Sequence, residues 1–172
     1  MNFEIVITEL KLNWFQKQNI KKVIYKNLQR HLYCTGDMKS TYHNDAFLYH
    51  HSEFKCVDNK INLAANKIFK RNFKVISMWA NVGNFGSKID PHNHIADKYS
   101  DYTADNQFQI FGVCGAYYLQ KPKLSGNFIA DGNAIDVVEN NLIFFSPHMV
   151  HWTDINQSNK DRIVVSFNGY LT

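Results

Sequence analysis

The chain has 172 residues, 45% of them hydrophobic and 15% aromatic, which fits one soluble globular domain able to bury roughly 70% of its unfolded surface. No stretch approaches the roughly 18 uninterrupted apolar residues of a membrane-spanning helix, and the opening MNFEIVITELKLNWFQKQ breaks its apolar run with Glu4 and Glu9, so neither a membrane span nor a secretory leader is expected and a cytoplasmic location is. The net charge of +4 comes from lysines dispersed over the first half, a pattern of solvated helix faces that leaves nucleic acid a possible but not a favoured partner, and three cysteines without CxxC spacing (Cys34, Cys56, Cys114) exclude a disulfide framework or zinc knuckle.

In chain order, residues 13–31 place Trp14, Ile20, Val23, Ile24 and Leu28 near helical spacing, and residues 59–71 do the same with Ile61, Ala64, Ala65, Ile68 and Phe69. From Phe73 onward the period shortens to two. Strands are predicted near 73–82, 90–95, 108–120, 126–131, 134–138, 141–146, 149–154 and 161–169, with turns at Asn84–Gly86, Pro122–Gly126 and Asp131–Gly132. Asp131-Gly132 between two short alternating runs predicts a tight hairpin, because both central positions of a primed turn need positive φ. Residues 96–106 read as a polar loop and a candidate lid. No repeat or linker divides the chain, so one domain over 1–172 is expected. It is α+β, with helical support mainly in 1–72 buttressing one face of a sandwich or jelly-roll core in 73–172.

Four of the eight histidines fall in two tight groups, His92 and His94 in DPHNHI and His148 and His151 in SPHMVHW. On a strand, side chains two apart share a face, so His92 and His94 can bind one metal ion together; His148 and His151, three apart, face opposite ways, so only one of them joins such a site. A non-haem Fe(II) oxygenase uses two histidines and a carboxylate, and here His94 stands where the carboxylate would be. The plainer alternative for His94 is a hydrogen bond to a neighbour. Arg162 opens the run RIVVSF and should point inward with Val164 and Ser166. A buried guanidinium requires an anion, which a ligand carboxylate or a salt bridge to Asp161 would each supply.

The segments WANVGNFGSKIDPHNH, CGAYYLQ, SGNFIAD, NNLIFFSPHMVHW and RIVVSFNGY occur in the order found in the 2-oxoglutarate–Fe(II) oxygenases common in bacteria and their phages, which residues 79–170 resemble. The resemblance implies a double-stranded β-helix, or jelly roll, that binds Fe(II), 2-oxoglutarate and O2 and hydroxylates a substrate while converting 2-oxoglutarate to succinate and CO2. It assigns iron to His92, His94 and His151 rather than His148. It places Arg162 and Ser166 on the far carboxylate of 2-oxoglutarate, with Tyr118 or Asn81 near the other. Asn81 also resembles the Asn that contacts 2-oxoglutarate in the nucleic-acid demethylases of this superfamily, although a turn-forming role in VGNFG is equally open. Tyr117 and Tyr118 point to opposite faces, so only one can serve. The chain departs from the family in reading Phe145-Ser146-Pro147 where Phe-Pro-Ser is usual. Two other readings stand beside this one: a cupin-like three-histidine metal enzyme without 2-oxoglutarate, and a phage structural or binding module that kept the fold and lost catalysis. The substrate is not legible.

Overall fold

A computed structural model describes residues 4–31, 34–95, 110 and 112–172, so the lid expected over 96–106 lies outside the described residues. The chain begins with an edge strand β1 (Val6–Glu9) and enters helix α1 (Trp14–Asn27), where Asn13 accepts from the Gln16 backbone and Gln16 accepts from the Asn13 backbone, each at 2.9 Å. That reciprocal cap satisfies two of the orphan amides of the first turn. Short strands β2 (Gln29–Arg30), β3 (Cys34–Thr35) and β4 (Lys39–Ser40) follow. Helix α2 (Lys55–Phe69) starts four residues before the expected position because two 3-10 turns, Leu48–His50 and Ser52–Phe54, run straight into it. It stops where Lys70 adopts a left-handed conformation, φ 54°.

The strand-rich half holds β5 (Phe73–Gly83), β6 (Lys88–Ile89), β7 (Gly112–Gln120), β8 (Phe128–Ala130), β9 (Asn133–Ile135), β10 (Asn141–Phe145), β11 (His151–Thr153) and β12 (Arg162–Leu171). A seven-stranded sheet runs β1-β10-β7-β12-β5-β4-β2, a three-stranded sheet runs β11-β8-β9, and β3 pairs with β6. These are antiparallel throughout the named strands, in the jelly-roll arrangement expected from the sequence. The β8–β9 hairpin turns on Asp131 and Gly132, both with positive φ (46° and 84°), as the Asp-Gly signal required. The segment 90–95 is the exception. It forms no regular strand; His92 makes one isolated antiparallel bridge to His151 instead.

Period-two alternation divides the large sheet into two faces. On one, Met78, Ala80 and Val82 of β5, Val113, Tyr117 and Leu119 of β7, and Ile163, Val165 and Phe167 of β12 pack under Ile20 and Ile24 of α1 and Val57, Ile61 and Ala65 of α2. Each large apolar side chain withdrawn from water there contributes roughly 1.5–3 kcal/mol before conformational entropy is subtracted. On the other face Cys114, Ala116, Tyr118, Ile143, Phe145 and Val164 meet Phe128 and Ala130 of the small sheet. Helices therefore cover one face only, and the inner space between the sheets belongs to strand residues. The choice left open between two tyrosines is decided by this parity, since Tyr117 packs toward the helices and Tyr118 faces the space between the sheets.

Candidate metal centre

His92, His94 and His151 converge on one point, their candidate ligand atoms all lying within 4.8 Å of one another. Two backbone hydrogen bonds bring the segments together, from His92 N to His151 O at 3.1 Å and from His151 N to His92 O at 2.9 Å. A third, from His94 N to Pro147 O at 3.0 Å, seats the second imidazole in the chain reversal before β11. His148 is exposed in the turn before β11 and is absent from the cluster.

The hydrogen bonds of the rings fix their tautomers. Nδ1 of His92 lies 2.8 Å from the Asp90 carbonyl, Nδ1 of His151 lies 3.0 Å from the Met149 carbonyl, and Nδ1 of His94 lies 2.6 Å from Oδ1 of Asn168. Each partner is an oxygen acceptor, so each Nδ1 carries the hydrogen and each Nε2 the lone pair that could take a metal, the pre-oriented arrangement of a metal-binding histidine. Burial, followed by the neighbouring His94 and His92, holds His151 well below the ordinary imidazole range. Neutral imidazole is the form that binds metal. The hydrogen bond expected as the plainer alternative for His94 is present, Nδ1 being tied to Asn168 with Sγ of Cys114 3.2 Å away, on a ring that also belongs to the three-histidine cluster. Phe145 and Phe128 pack on His151, with centroids at 4.5 and 5.6 Å, and Trp79 packs on His94 at 5.9 Å, so the back of the cluster is apolar.

Arg162 is 2% exposed. Its Nη1 donates to the carbonyls of Ser125 and Asp154 and its Nη2 donates to Oγ1 of Thr153 at 2.7 Å. No carboxylate among the described residues pairs with it; the Asp161 side chain, the alternative partner considered from the sequence, accepts from Tyr25 instead. Burial lowers the pKa of the guanidinium, opposed by Tyr118, Asp154 and Cys34. Neutral acceptors thus orient a cation without neutralising it, which is the signature of an anion site. Gly126 shapes the cradle: it has φ 81°, and a Cβ there would sit 2.6 Å from the same Asp154 oxygen that receives the arginine. Tyr118 lies within electrostatic range of Arg162, and burial raises its phenol so that it stays a hydroxyl donor.

Ser166 does not share that position. On β12 it lies four residues from Arg162, roughly 13 Å along the strand, and its Oγ accepts from Asn81 Nδ2 at 3.4 Å. Alternation brings Ser166 and Arg162 to one face, and in this structure the Ser166 hydroxyl is engaged by Asn81 rather than by the guanidinium. Asn81 faces the inner space, and its buried Oδ1 has no hydrogen-bond partner among the described residues. Thr153 and Asn168 were not singled out from the sequence. Both were reachable by period two, Thr153 from His151 and Asn168 from Ser166.

No protein-family model matches the sequence, and comparison with curated proteins gives no significant match. Solved structures do share the architecture. HygX from Streptomyces hygroscopicus, crystallised with nickel, 2-oxoglutarate and hygromycin B, superposes with a TM-score of 0.65 at 10% identity over 98% of this chain and 83% of its own. The viral collagen prolyl hydroxylase vCPH from Paramecium Bursaria Chlorella virus-1, in a 2-oxoglutarate complex, gives 0.67 at 13% identity over 96% of both chains. The non-heme alpha-ketoglutarate-dependent epimerase SnoN from nogalamycin biosynthesis gives 0.72 at 11% identity over 96% of this chain and 76% of its own. At these identities the likeness is one of fold. No helix of the described residues is long and apolar enough to cross a membrane.

Two outcomes follow from the ring geometry. Iron content after reconstitution should fall below one-tenth of stoichiometric in His151→Ala and stay near one in His148→Ala, while Asn168→Leu, which frees the His94 ring, should weaken iron binding by about 10–100-fold. Full occupancy in His151→Ala would remove that residue from the site. Burial, with His43 and His92 nearby, also holds His31 down to about 4 against an ordinary 6.5. Between those values the unfolded chain binds a proton that the native chain does not, so this contribution to stability is complete above 6.5 and is lost as pH falls toward 4. The melting temperature of metal-free protein should therefore drop across that window, and His31→Gln should shallow the slope; an unchanged slope would show that His31 is not buried as described.

Proposed function

We propose that the protein is a 2-oxoglutarate- and Fe(II)-dependent dioxygenase that uses O2 to hydroxylate an organic substrate. The observation that carries the reading is the meeting of two features in the space between the two sheets. Three imidazoles anchored through Nδ1 stand beside a buried guanidinium that has oriented acceptors and no counter-anion. The spacing supports it. Thr153, which receives Arg162, lies two residues beyond His151 on the same strand and face, roughly 7 Å away, about the reach of an extended five-carbon dicarboxylate. The names of the structural neighbours are consistent with this chemistry, since HygX and vCPH are both described in complex with 2-oxoglutarate.

His92, His94 and His151 would hold Fe(II), whose chemistry when bound is the activation of O2 at the expense of 2-oxoglutarate. The residues of the chain perform the rest. Arg162 binds the far carboxylate through its planar fork, and the Ser125 and Asp154 carbonyls with Thr153 keep that fork from rotating away. Tyr118, kept protonated by burial, donates its O–H toward the same anion. Asn81 brings an amide with an unsatisfied oxygen to the inner space, and reversing that amide lets Ser166 donate to Oδ1 while the NH2 turns to the ligand. Phe128, Phe145 and Trp79 exclude water from the back of the centre, which strengthens every charge interaction within it.

Anaerobic titration of 2-oxoglutarate into the Fe(II) protein, followed by the charge-transfer absorption of the chelate, tests the reading. Arg162→Lys keeps the charge and loses the fork, so affinity should fall by roughly 1–3 kcal/mol with iron still bound. If the Lys variant binds 2-oxoglutarate like the parent, Arg162 is structural. If the parent shows no binding, the reading gives way to a three-histidine metal enzyme that works without 2-oxoglutarate.

A further inference from the structure

The edge of the large sheet next to β5 carries a second group of rings. Strand β4 pairs Ser40 with Asn81, the Thr41 amide continues the ladder to the Ala80 carbonyl at 2.9 Å, and the His31 amide donates to Met38 at 2.9 Å. This places Tyr42 across from Trp79. The rings then run in sequence: His94 to Trp79 at 5.9 Å, Trp79 to Tyr42 at 5.2 Å and 68°, Tyr42 to His43 at 5.4 Å and 80°, and His43 to His31 at 5.4 Å and 64°. His31 in turn lies within electrostatic range of His92. The arc begins and ends on the proposed iron ligands. Trp79 is buried, Tyr42 and His31 are half-buried and His43 and His92 are exposed, so the arc reaches from the buried centre to the surface.

We propose that Trp79, Tyr42, His43 and His31 form the substrate-binding wall of the oxygenase and that the wall takes a flat, uncharged ring stacked against it; this rests on the oxygenase reading. Ring faces attract other ring faces in offset or edge-to-face contact and do so without regard to the hydrogen-bonding pattern of the guest. Trp79 and Tyr42 carry no charge, so the inner part of the wall favours an uncharged guest over an ion. The nearby Asp45 carboxylate is held by His51 at 2.6 Å and by the Phe47 amide at 2.9 Å. A neutral planar ring is the guest that this wall accepts.

Saturation-transfer NMR on metal-free and on Zn(II)-loaded protein tests this without turnover, with indole and thymidine as planar neutral probes and N-acetylprolinamide and tetramethylammonium as controls. Indole and thymidine should give saturable signals, and Tyr42→Ala and His43→Ala should each weaken them about tenfold while iron content and 2-oxoglutarate affinity stay at parent values. Both positions are solvent-facing enough to tolerate truncation, and Trp79→Leu serves as a stronger variant provided its melting temperature shows that it folds. Absent planar-probe signals, unchanged affinity in Tyr42→Ala, or controls that bind as well as indole would each overturn the proposal. Loss of 2-oxoglutarate binding in the parent, with the probe results intact on metal-free protein, would count against the oxygenase reading and leave the ring site standing.

Discussion

The structure turns on one pair of backbone hydrogen bonds, between His92 and His151. They join two segments far apart in sequence, and they do so at the residues whose side chains must meet. A single antiparallel bridge sets both Cα atoms side by side and sends both imidazoles to one face. Two of the remaining anchors are local, the carbonyls of Asp90 and Met149, each two residues before the histidine it holds; the third, Asn168 for His94, comes from the distant strand β12. Ligand orientation is thereby set by main chain and one amide rather than by the metal. Such preorganisation means that binding an ion need not reorganise the site.

The inner face of β12 works as a ruler. Arg162, Val164, Ser166 and Asn168 point the same way in steps of roughly 7 Å, with Asn168 at the histidines and the arginine Cα at the opposite end. The long arginine side chain crosses to the small sheet and finishes at Thr153, two residues from His151. The distance between cation and metal site is therefore set by β11 and not by β12. His151 of β11 joins the histidine cluster and Thr153 receives the arginine, so a strand of three residues brings the two features together.

Much of this was legible in the sequence because it follows from period alone. The helices, the Asp131-Gly132 hairpin, the separation of His148 from His151 and the inward set on β12 all come from counting residues per turn or per pleat. Period gives a face but not a depth, so it put Ser166 and Arg162 on one face without saying where the guanidinium ends. It also over-extended 90–95 into a strand where one bridge does the work. The short strands β2 and β4 are too brief to carry a pattern, and so the placement of His31, Tyr42 and His43 beside Trp79 was invisible: it depends on sheet-edge pairing between distant segments.

A third histidine in place of a carboxylate is the chemical feature that sets this centre apart, and the joint presence of that trio and an orphan arginine is the central claim. An anaerobic crystal structure of protein soaked with Fe(II) and 2-oxoglutarate tests it directly through the iron anomalous signal. One iron peak is expected, ligated by Nε2 of His92, His94 and His151, with 2-oxoglutarate chelating it and its far carboxylate paired to the Arg162 guanidinium. An iron peak that omits His94 or His151, or a 2-oxoglutarate molecule bound away from Arg162, would contradict it.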